Sequence, residues 1–475
     1  MKPRLTLAIL AGRTASLVSR CIGHGGTVLP GHVVPRIEPT ALSYIARQLR
    51  GGSVIVSGTN GKTTTTRMVA HVARSAGFHP IHNRSGANLM TGLVSALASN
   101  SDLSGHPRGD LGIFEVDEAT VPSAATAIAP RILALTNVFR DQLDRYGEVE
   151  LVAKAWRAAA AGLDPSATLI LNADDPTVAQ LARDAKARVL TFGFEDRSVG
   201  GAYVAHDADR LLCPFCAARL AYAWTAYSHL GHYACPSCGW SRPRPDVAAT
   251  AASVPSPTNP MGSTLTIEAP GETATLELPL PGLYNAYNAL AAAAICTALG
   301  IPLDKTAGSI GGSEAVFGRF ERIAVESGAL VMVLVKNPVG FNQVLRALAG
   351  PSPASGSALA QTGQGEKPLM VIAINDLFAD GTDVSWLWDV DFEVLAERRY
   401  RVLCTGLRAQ DMALRLKYAG VPCVDVEPLL STTIDSALAT ARRGQEVLVF
   451  PTYTAMLDMR HELQRRGHVS PFWED

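Results

Sequence analysis

The run Ser53-Val54-Ile55-Val56 feeds a glycine-bearing turn, Ser57-Gly58-Thr59-Asn60-Gly61, which opens directly into Lys62-Thr63-Thr64. A short β-branched strand, a tight turn and a helix start in immediate succession force a βα unit. They aim several backbone N–H groups and the positive end of a helix at one point. The ligand suited to such a cradle is a nucleotide phosphate. Lys62 can reach the β/γ-phosphates and the Thr63 hydroxyl can ligate Mg²⁺, with Gly58, Thr59, Asn60, Gly61 and Thr64 completing the loop. The strict G-x-x-x-x-G-K-[ST] pattern would place a glycine at Val56, whereas here it stands at Gly58. ATP is the expected cofactor.

Apolar strand-like runs alternate with helical patterns through the rest of the chain, which predicts an α/β architecture. In the first half the runs fall at 54–56, 112–116, 132–137, 169–172 and 189–192, with helices at 62–76 and 149–162. Alternation over 264–280 predicts a hairpin turning at Pro270-Gly271, and an alanine-rich helix follows at 285–299. A second α/β unit begins near Gly318, with strands at 330–335, 369–374, 401–404, 423–426 and 446–450.

At 475 residues the chain is long enough for roughly two or three domains. A net charge of −1 provides no global attraction for nucleic acid or anionic lipid. No apolar stretch approaches the ~20 residues of a membrane span. The first residues faintly imitate a signal peptide, but Arg13 and Arg20 interrupt the run. Leu5, Leu7, Ile9, Leu10, Leu17 and Val18 fit an amphipathic helix instead. The chain reads as cytoplasmic.

Glu115 closes the apolar run Ile113-Phe114-Glu115, with Asp117 and Glu118 just beyond. A carboxylate at the carboxyl end of a parallel strand lies in the crevice where open α/β sheets bind ligands. Asn285 and Asn288 lie three apart on one helix face, and their amides suit an adenine edge. Cys213-Pro-Phe-Cys216 and Cys235-Pro-Ser-Cys238 are separated by 18 residues. That spacing is a strong Zn²⁺-ribbon signal, and four thiolate ligands close the coordination shell, which argues for structure over catalysis. Tyr222, Trp224, Tyr227, Tyr233 and Trp240 would form the ribbon's core, with Arg219, Arg242 and Arg244 nearby.

The phosphate loop, Glu115, the segment Thr136 to Gly147, the helix from Gly282 to Ala292 and the stretch Phe317-Gly318-Arg319-Phe320-Glu321-Arg322 occur in the order found in the Mur ligase superfamily. The chain resembles that superfamily, ATP-dependent amide-bond ligases of peptidoglycan with folylpolyglutamate and cyanophycin synthetases as relatives. The resemblance implies Mg²⁺ at Glu115 and an arginine, Arg319, that reaches the nucleotide when the domains close. Gln142 and Tyr146 stand where the family has histidines, so only Asn137 and Asp144 carry over from that segment.

The C-terminal half departs from ordinary Mur ligases. Its segments Val333 to Asn342 and Ile374 to Asp389, the latter with Asn375-Asp376 and Ala379-Asp380-Gly381-Thr382-Asp383, resemble the MurT family, ligase subunits of lipid II isoglutaminyl synthase. This implies a Mur ligase-like P-loop ATPase domain over 1–317 with a zinc-ribbon insertion near 205–245. A Rossmann-like α/β domain over 318–475 would then meet a GatD-type glutaminase subunit. It also implies amidation of the D-glutamate α-carboxyl of lipid II at the inner face of the membrane, with Asp383 serving the partner's Cys–His pair and Asp380 and Asp389 behind it. Lys62 and Glu115 would carry the ligase chemistry. Two other functions stand against this one. An amino-acid ligase of the Mur or folylpolyglutamate type would be driven by an amino acid instead of ammonia. A nucleic-acid-binding ATPase built on the ribbon would bind with strong salt dependence.

Overall fold

The computed structural model describes residues 3–21, 29–83, 87–139, 149–200, 212–253, 262–280, 282–312, 321–349, 367–396, 400–422 and 424–469. Among them, nine strands build the larger sheet: β1 (Ser53–Ser57), β2 (Pro80–His82), β3 (Leu111–Glu115), β4 (Ile132–Leu135), β5 (Thr168–Asn172), β6 (Arg188–Phe194), and, after the hairpin β7 (Ala221–Tyr227) and β8 (Leu230–Ala234), β9 (Val247–Ser253), β10 (Ser263–Ala269) and β11 (Glu272–Leu278). Their spatial order is β11-β10-β9-β6-β5-β4-β1-β3-β2. The strands from β2 to β9 run parallel, and β10 and β11 close one edge antiparallel. β1 and β3 are buried along their whole length, which is why they read as continuous apolar runs without alternation.

Helices cover both faces. Those that bear on the site are α1 (Pro3–Cys21), α2 (Leu29–Ile37), α3 (Lys62–Ser75), α4 (Met90–Ser99) and α5 (Leu283–Leu299). Val54 and Val56 point into the core beneath α3 and α5, while Ile55 and Phe114 point into the opposite core with α1, α2 and α4. α5 is buried almost all round, as a helix apolar on every face must be.

The smaller sheet contains β12 (Glu321–Val325), β13 (Gly328–Met332), β14 (Leu369–Ala373), β15 (Arg401–Thr405), β16 (Val424–Val426) and β17 (Glu446–Pro451), in the order β12-β13-β17-β14-β15-β16. All pairs are parallel except β12 with β13. A helix α6 (Tyr453–Arg465) follows β17.

Every expected strand is present, within a few residues of its expected ends. Besides the hairpin β7–β8, three unexpected strands of the two larger sheets had weak signals. β2 is only three residues long, β9 is alanine-rich and reads like helix, and β12 opens on two charged residues. One expectation needs correcting. α1 forms, but it is not apolar on one face only. Leu5, Ala8 and Ile9 are buried, whereas Leu7, Leu10, Leu17 and Val18 face outward.

Candidate active site

β1 is flanked by β3 on one side and β4 on the other, so the chain reverses its winding direction there. The crevice beyond the carboxyl end of β1 is therefore the topological switch point. Val56 is still in the strand, paired with Glu115 and Ala134, so the loop begins only at Gly58. That explains why the glycine stands later than in the usual pattern. Both glycines are sterically required. A Cβ on Gly58 would lie 2.0 Å from Thr136 Oγ1, and one on Gly61, at φ 83°, would lie 1.8 Å from Asn288 Oδ1.

Asn137 shapes the loop. Its carbonyl accepts the Thr59 N–H (3.0 Å), its Oδ1 accepts the Asn60 N–H (2.8 Å), and its Nδ2 donates to Asn60 O (3.0 Å). With those two N–H groups engaged, the anion cradle rests on the first turn of α3, where the helix ladder starts only at Thr65 N–H to Gly61 O.

The charges gather at this point. Lys62 is buried, donates to Gly58 O (2.5 Å) and pairs with Glu118 Oε2 at 2.8 Å. Burial alone would discharge the ammonium, but Glu118, aided by Glu115 and Asp117, holds its pKa above the ordinary value. Burial likewise works against the Glu118 carboxylate, and Lys62 and Lys336 outweigh it, holding its pKa down. Thr63 Oγ1 donates to Glu115 Oε2 (2.7 Å), and the Asn83 amide clamps the Glu115 backbone on both sides, at 2.9 and 2.8 Å. Glu115, Asp117 and Glu118 are all buried around this one corner. A hydroxyl beside a buried carboxylate, within a cluster of oxygen donors carrying excess negative charge, fits a hard divalent cation such as Mg²⁺.

The smaller sheet presents its strand ends to the same loop. Lys336 Nζ donates to Thr59 O (3.2 Å) and Asn337 Nδ2 to Asn60 Oδ1 (2.9 Å). Tyr453, at the start of α6, has its phenol pKa raised by burial and by the nearby charges of Asp380 and Glu115. Lys336 lies within the segment Val333 to Asn342 and was not among the expected site residues. Its position just past an apolar strand and two residues before Pro338 was the available signal.

The three acidic candidates of the C-terminal half separate. Asp380 is buried and accepts the Thr454 N–H (2.7 Å) and the Thr454 hydroxyl, so it is a brace for the first turn of α6. Asp383 and Asp389 are exposed. Asp383 also accepts the Ser385 N–H and hydroxyl, both at 2.8 Å, and so fastens the entry to the short turn Ser385–Asp389. Arg319, Gln142, Asp144 and Tyr146 lie outside the described residues.

Asn285 and Asn288 are buried on one face of α5, bonded to each other at 3.3 Å, and Asn288 packs against Gly61. One residue away, Tyr287 donates to Asp174 Oδ2 (2.6 Å), and Asp174 receives Arg242 Nε at 2.5 Å. Arg242 is thus spent inside the protein. The aromatic residues expected around the paired cysteines do pack together, with Tyr233 between Tyr222 and Trp240 and Phe215 against Trp240. Tyr227 and Trp224 extend into the main core.

The four cysteines converge. Cys213 and Cys238 sulfurs lie 3.6 Å apart, those of Cys216 and Cys235 3.4 Å, and all four within 4.8 Å of one another. Tetrahedral Zn²⁺ with Zn–S of about 2.3 Å requires sulfurs roughly 3.8 Å apart, so the cluster has the size of a zinc site. The Cys238 N–H points at Cys235 Sγ (3.4 Å) and lowers that thiol to about 6, favouring the thiolate a metal binds.

A phosphate-binding βα unit at the switch point of one sheet, with the strand ends of a second α/β sheet closing over it, defines an ATP-dependent ligase of the Mur type. Residues 56–213 match the Mur ligase middle domain, and residues 334–456 match the MurT ligase C-terminal family. A pseudomurein peptide ligase type C from Methanothermus fervidus shares the fold at a TM-score of 0.62 and 21% identity, over 87% of this chain and 78% of that one. Over 99% of both chains, this protein is 33% identical to the lipid II isoglutaminyl synthase (glutamine-hydrolyzing) subunit MurT of Streptococcus pneumoniae strain R6. It is 31% identical to the corresponding Staphylococcus aureus N315 subunit, over 96% of this chain and 97% of that one. The chain belongs to the MurT family.

Proposed function

We infer that the chain is the ligase subunit of a lipid II amidating enzyme, converting the D-glutamate α-carboxyl of the peptidoglycan precursor to the amide of D-isoglutamine. The observation that carries this is end-to-end similarity to MurT subunits, supported by the buried Lys62–Glu118 and Thr63–Glu115 pairs at the loop after β1. The ATPase unit would occupy residues 1–317, with the insertion near 205–245, and residues 318–475 would meet a GatD-type glutaminase in a heterodimer. Work would take place in the cytoplasm at the inner face of the membrane.

A carboxylate is inert to ammonia until it is activated. Its oxygen attacks the γ-phosphorus of ATP, ADP leaves, and an acyl phosphate forms. Ammonia then attacks the carbonyl carbon, the C–O bond to phosphate breaks, a proton is lost and inorganic phosphate departs. Lys62 and the first turn of α3 bind and orient the phosphates, with Gly58 to Thr64 forming the cradle. Lys336 is placed to add a second positive charge at the same corner. Thr63 and Glu115 would hold Mg²⁺, which supplies charge neutralisation on the phosphates. Asn285 and Asn288 face the loop from α5, and Arg319 is assigned to the nucleotide. Asp383, exposed on its turn, would orient the histidine of the partner's Cys–His pair. Zn²⁺ held by Cys213, Cys216, Cys235 and Cys238 would be structural. The burial of Arg242 against Asp174 weighs against a nucleic-acid-binding surface on the ribbon.

The test is ATP hydrolysis with lipid II, comparing free ammonium with glutamine, each with and without the glutaminase. Product from ammonium alone, and from glutamine only with the partner, supports the assignment. ATP turnover driven by an amino acid, with neither nitrogen source giving amidated product, overturns it.

A further inference from the structure

We propose that the outward face of α1, with the adjoining α2, is a docking surface for the anionic face of a lipid bilayer. Leu7, Leu10, Thr14, Leu17 and Val18 recur at three- and four-residue spacing on the face opposite Leu5, Ala8 and Ile9, so they form one outward stripe. Leu7 is 58% exposed and Leu17 62%, and Leu10 and Val18 between and beside them are exposed as well. On α2, which packs against α1, Leu29, His32 and Arg36 are also exposed.

The charge distribution selects the occupant. Residues 1–37 contain Lys2, Arg4, Arg13, Arg20 and Arg36 and no Asp or Glu, in a chain whose net charge is −1. The near-neutral total therefore conceals a basic N-terminal segment, in which Arg4 and Arg36 are exposed and Arg13 is half-buried. Asp102 lies near Arg13, but its carboxylate is taken up by the Ser104 and His106 N–H groups. Arg13 itself donates to Ser101 O. An apolar stripe set in a basic face is what an in-plane helix offers a bilayer, with leucines entering the acyl boundary and cations at anionic headgroups. A symmetric dimer through the same stripe would set the basic residues of two copies against each other, with Asp102 beside Arg13 as the nearby carboxylate. No helix among the described residues is long and apolar enough to cross a membrane.

α2 is also joined to the carboxylate corner through the helix it packs on. Gly31 of α2 lies against the Thr91 backbone and donates its N–H to Ser95 Oγ (2.7 Å). Asn88, three residues before Thr91, accepts the Asp117 N–H (3.0 Å) at the carboxylate corner. Docking here rests on the reading that the substrate is membrane-anchored, and it would bring the crevice beside the leaflet that holds it.

Flotation of the full chain with phosphatidylcholine vesicles, with and without about 30 mol% phosphatidylglycerol, tests this. The expected result is partition onto the anionic vesicles that weakens at high salt. Leu10→Glu/Leu17→Glu and the uncharged Leu10→Asn/Leu17→Asn should each lower that partition about tenfold or more while leaving the melting temperature and turnover of a soluble, tail-free substrate unchanged. Failure to float, equal binding to neutral vesicles, or unaltered partition of both variants overturns the proposal. So does a solution dimer that these substitutions dissociate. Amidation of detergent-dispersed lipid II without flotation sinks the docking surface alone. Flotation without amidation leaves docking standing and sinks the functional assignment.

Discussion

Replacing Glu118 by glutamine keeps the shape of the phosphate corner and removes one charge. Lys62 and Glu118 are almost fully buried, at 6% and 7% side-chain exposure, and 2.8 Å apart, so solvent does little to screen the loss. Removing one partner of a buried pair costs about 3–5 kcal/mol. The amide oxygen can still accept from Lys62, and Glu115 and Asp117 still act on it, so the lower end, about 3 kcal/mol, applies. At roughly 2 °C per kcal/mol for a large unit, the transition should fall by about 6 °C. Nucleotide phosphate replaces the missing negative charge, so Mg-ATP should raise the melting temperature of Glu118→Gln by more than it raises that of the wild type. The pH dependence has a definite sign. Glu118 is held below its ordinary 4.5, so its contribution is present above that value and lost as the pH falls through the depressed one. Lys62 is held above 10.5, so its contribution is present below that value and lost as the pH rises through the elevated one. The gap between wild type and variant should therefore be widest between these limits and close on acidification. Differential scanning calorimetry across pH, with and without nucleotide, measures all of this. A variant melting within about 1 °C of wild type at neutral pH, or showing no larger nucleotide shift, would refute the reasoning.

Lys62→Ala should abolish ATP-dependent amidation and leave the metal content unchanged, as measured by product formation and elemental analysis; retained amidation would remove the phosphate site from the loop. Cys213→Ser should cost folding or solubility more than chemistry, and a stable, zinc-free, fully active variant would exclude a structural metal. Asp383→Asn should lower glutamine-dependent turnover at least tenfold more than ammonium-dependent turnover. Equal losses with both nitrogen sources would place Asp383 in the ligase site, and a fall in melting temperature alone would reduce it to the fastening of Ser385 that the geometry already displays.

What could be read from the sequence was what depends on local spacing: the phosphate loop, the α/β alternation, Glu115 at a strand end and the paired cysteines. What stayed hidden depends on residues that meet only through the fold. Lys336 reaches Thr59 across 277 positions, and Arg242, which beside aromatic residues resembled a nucleic-acid contact, ends on Asp174 across 68. The ribbon's place in the chain follows from the same long-range packing. Its hairpin tip holds Tyr227 and His229 against the Phe139 ring, at 5.9 and 4.9 Å, and His229 Nε2 stands 3.2 Å from Asp175 Oδ2. Asp175 accepts the Val138 N–H (2.8 Å), and the Phe139 N–H donates to Thr59 Oγ1 (3.0 Å) within the phosphate loop. Tyr227 also packs edge-on to Tyr287, three residues after the Tyr284 that precedes Asn285. A hairpin that small has little core of its own, and a metal bound by the four cysteines at its base would compensate. The hairpin thus packs on residues that bond directly to the turn after β1, which gives a cysteine cluster at its base a structural reason to stand in a ligase whose chemistry makes no use of sulfur.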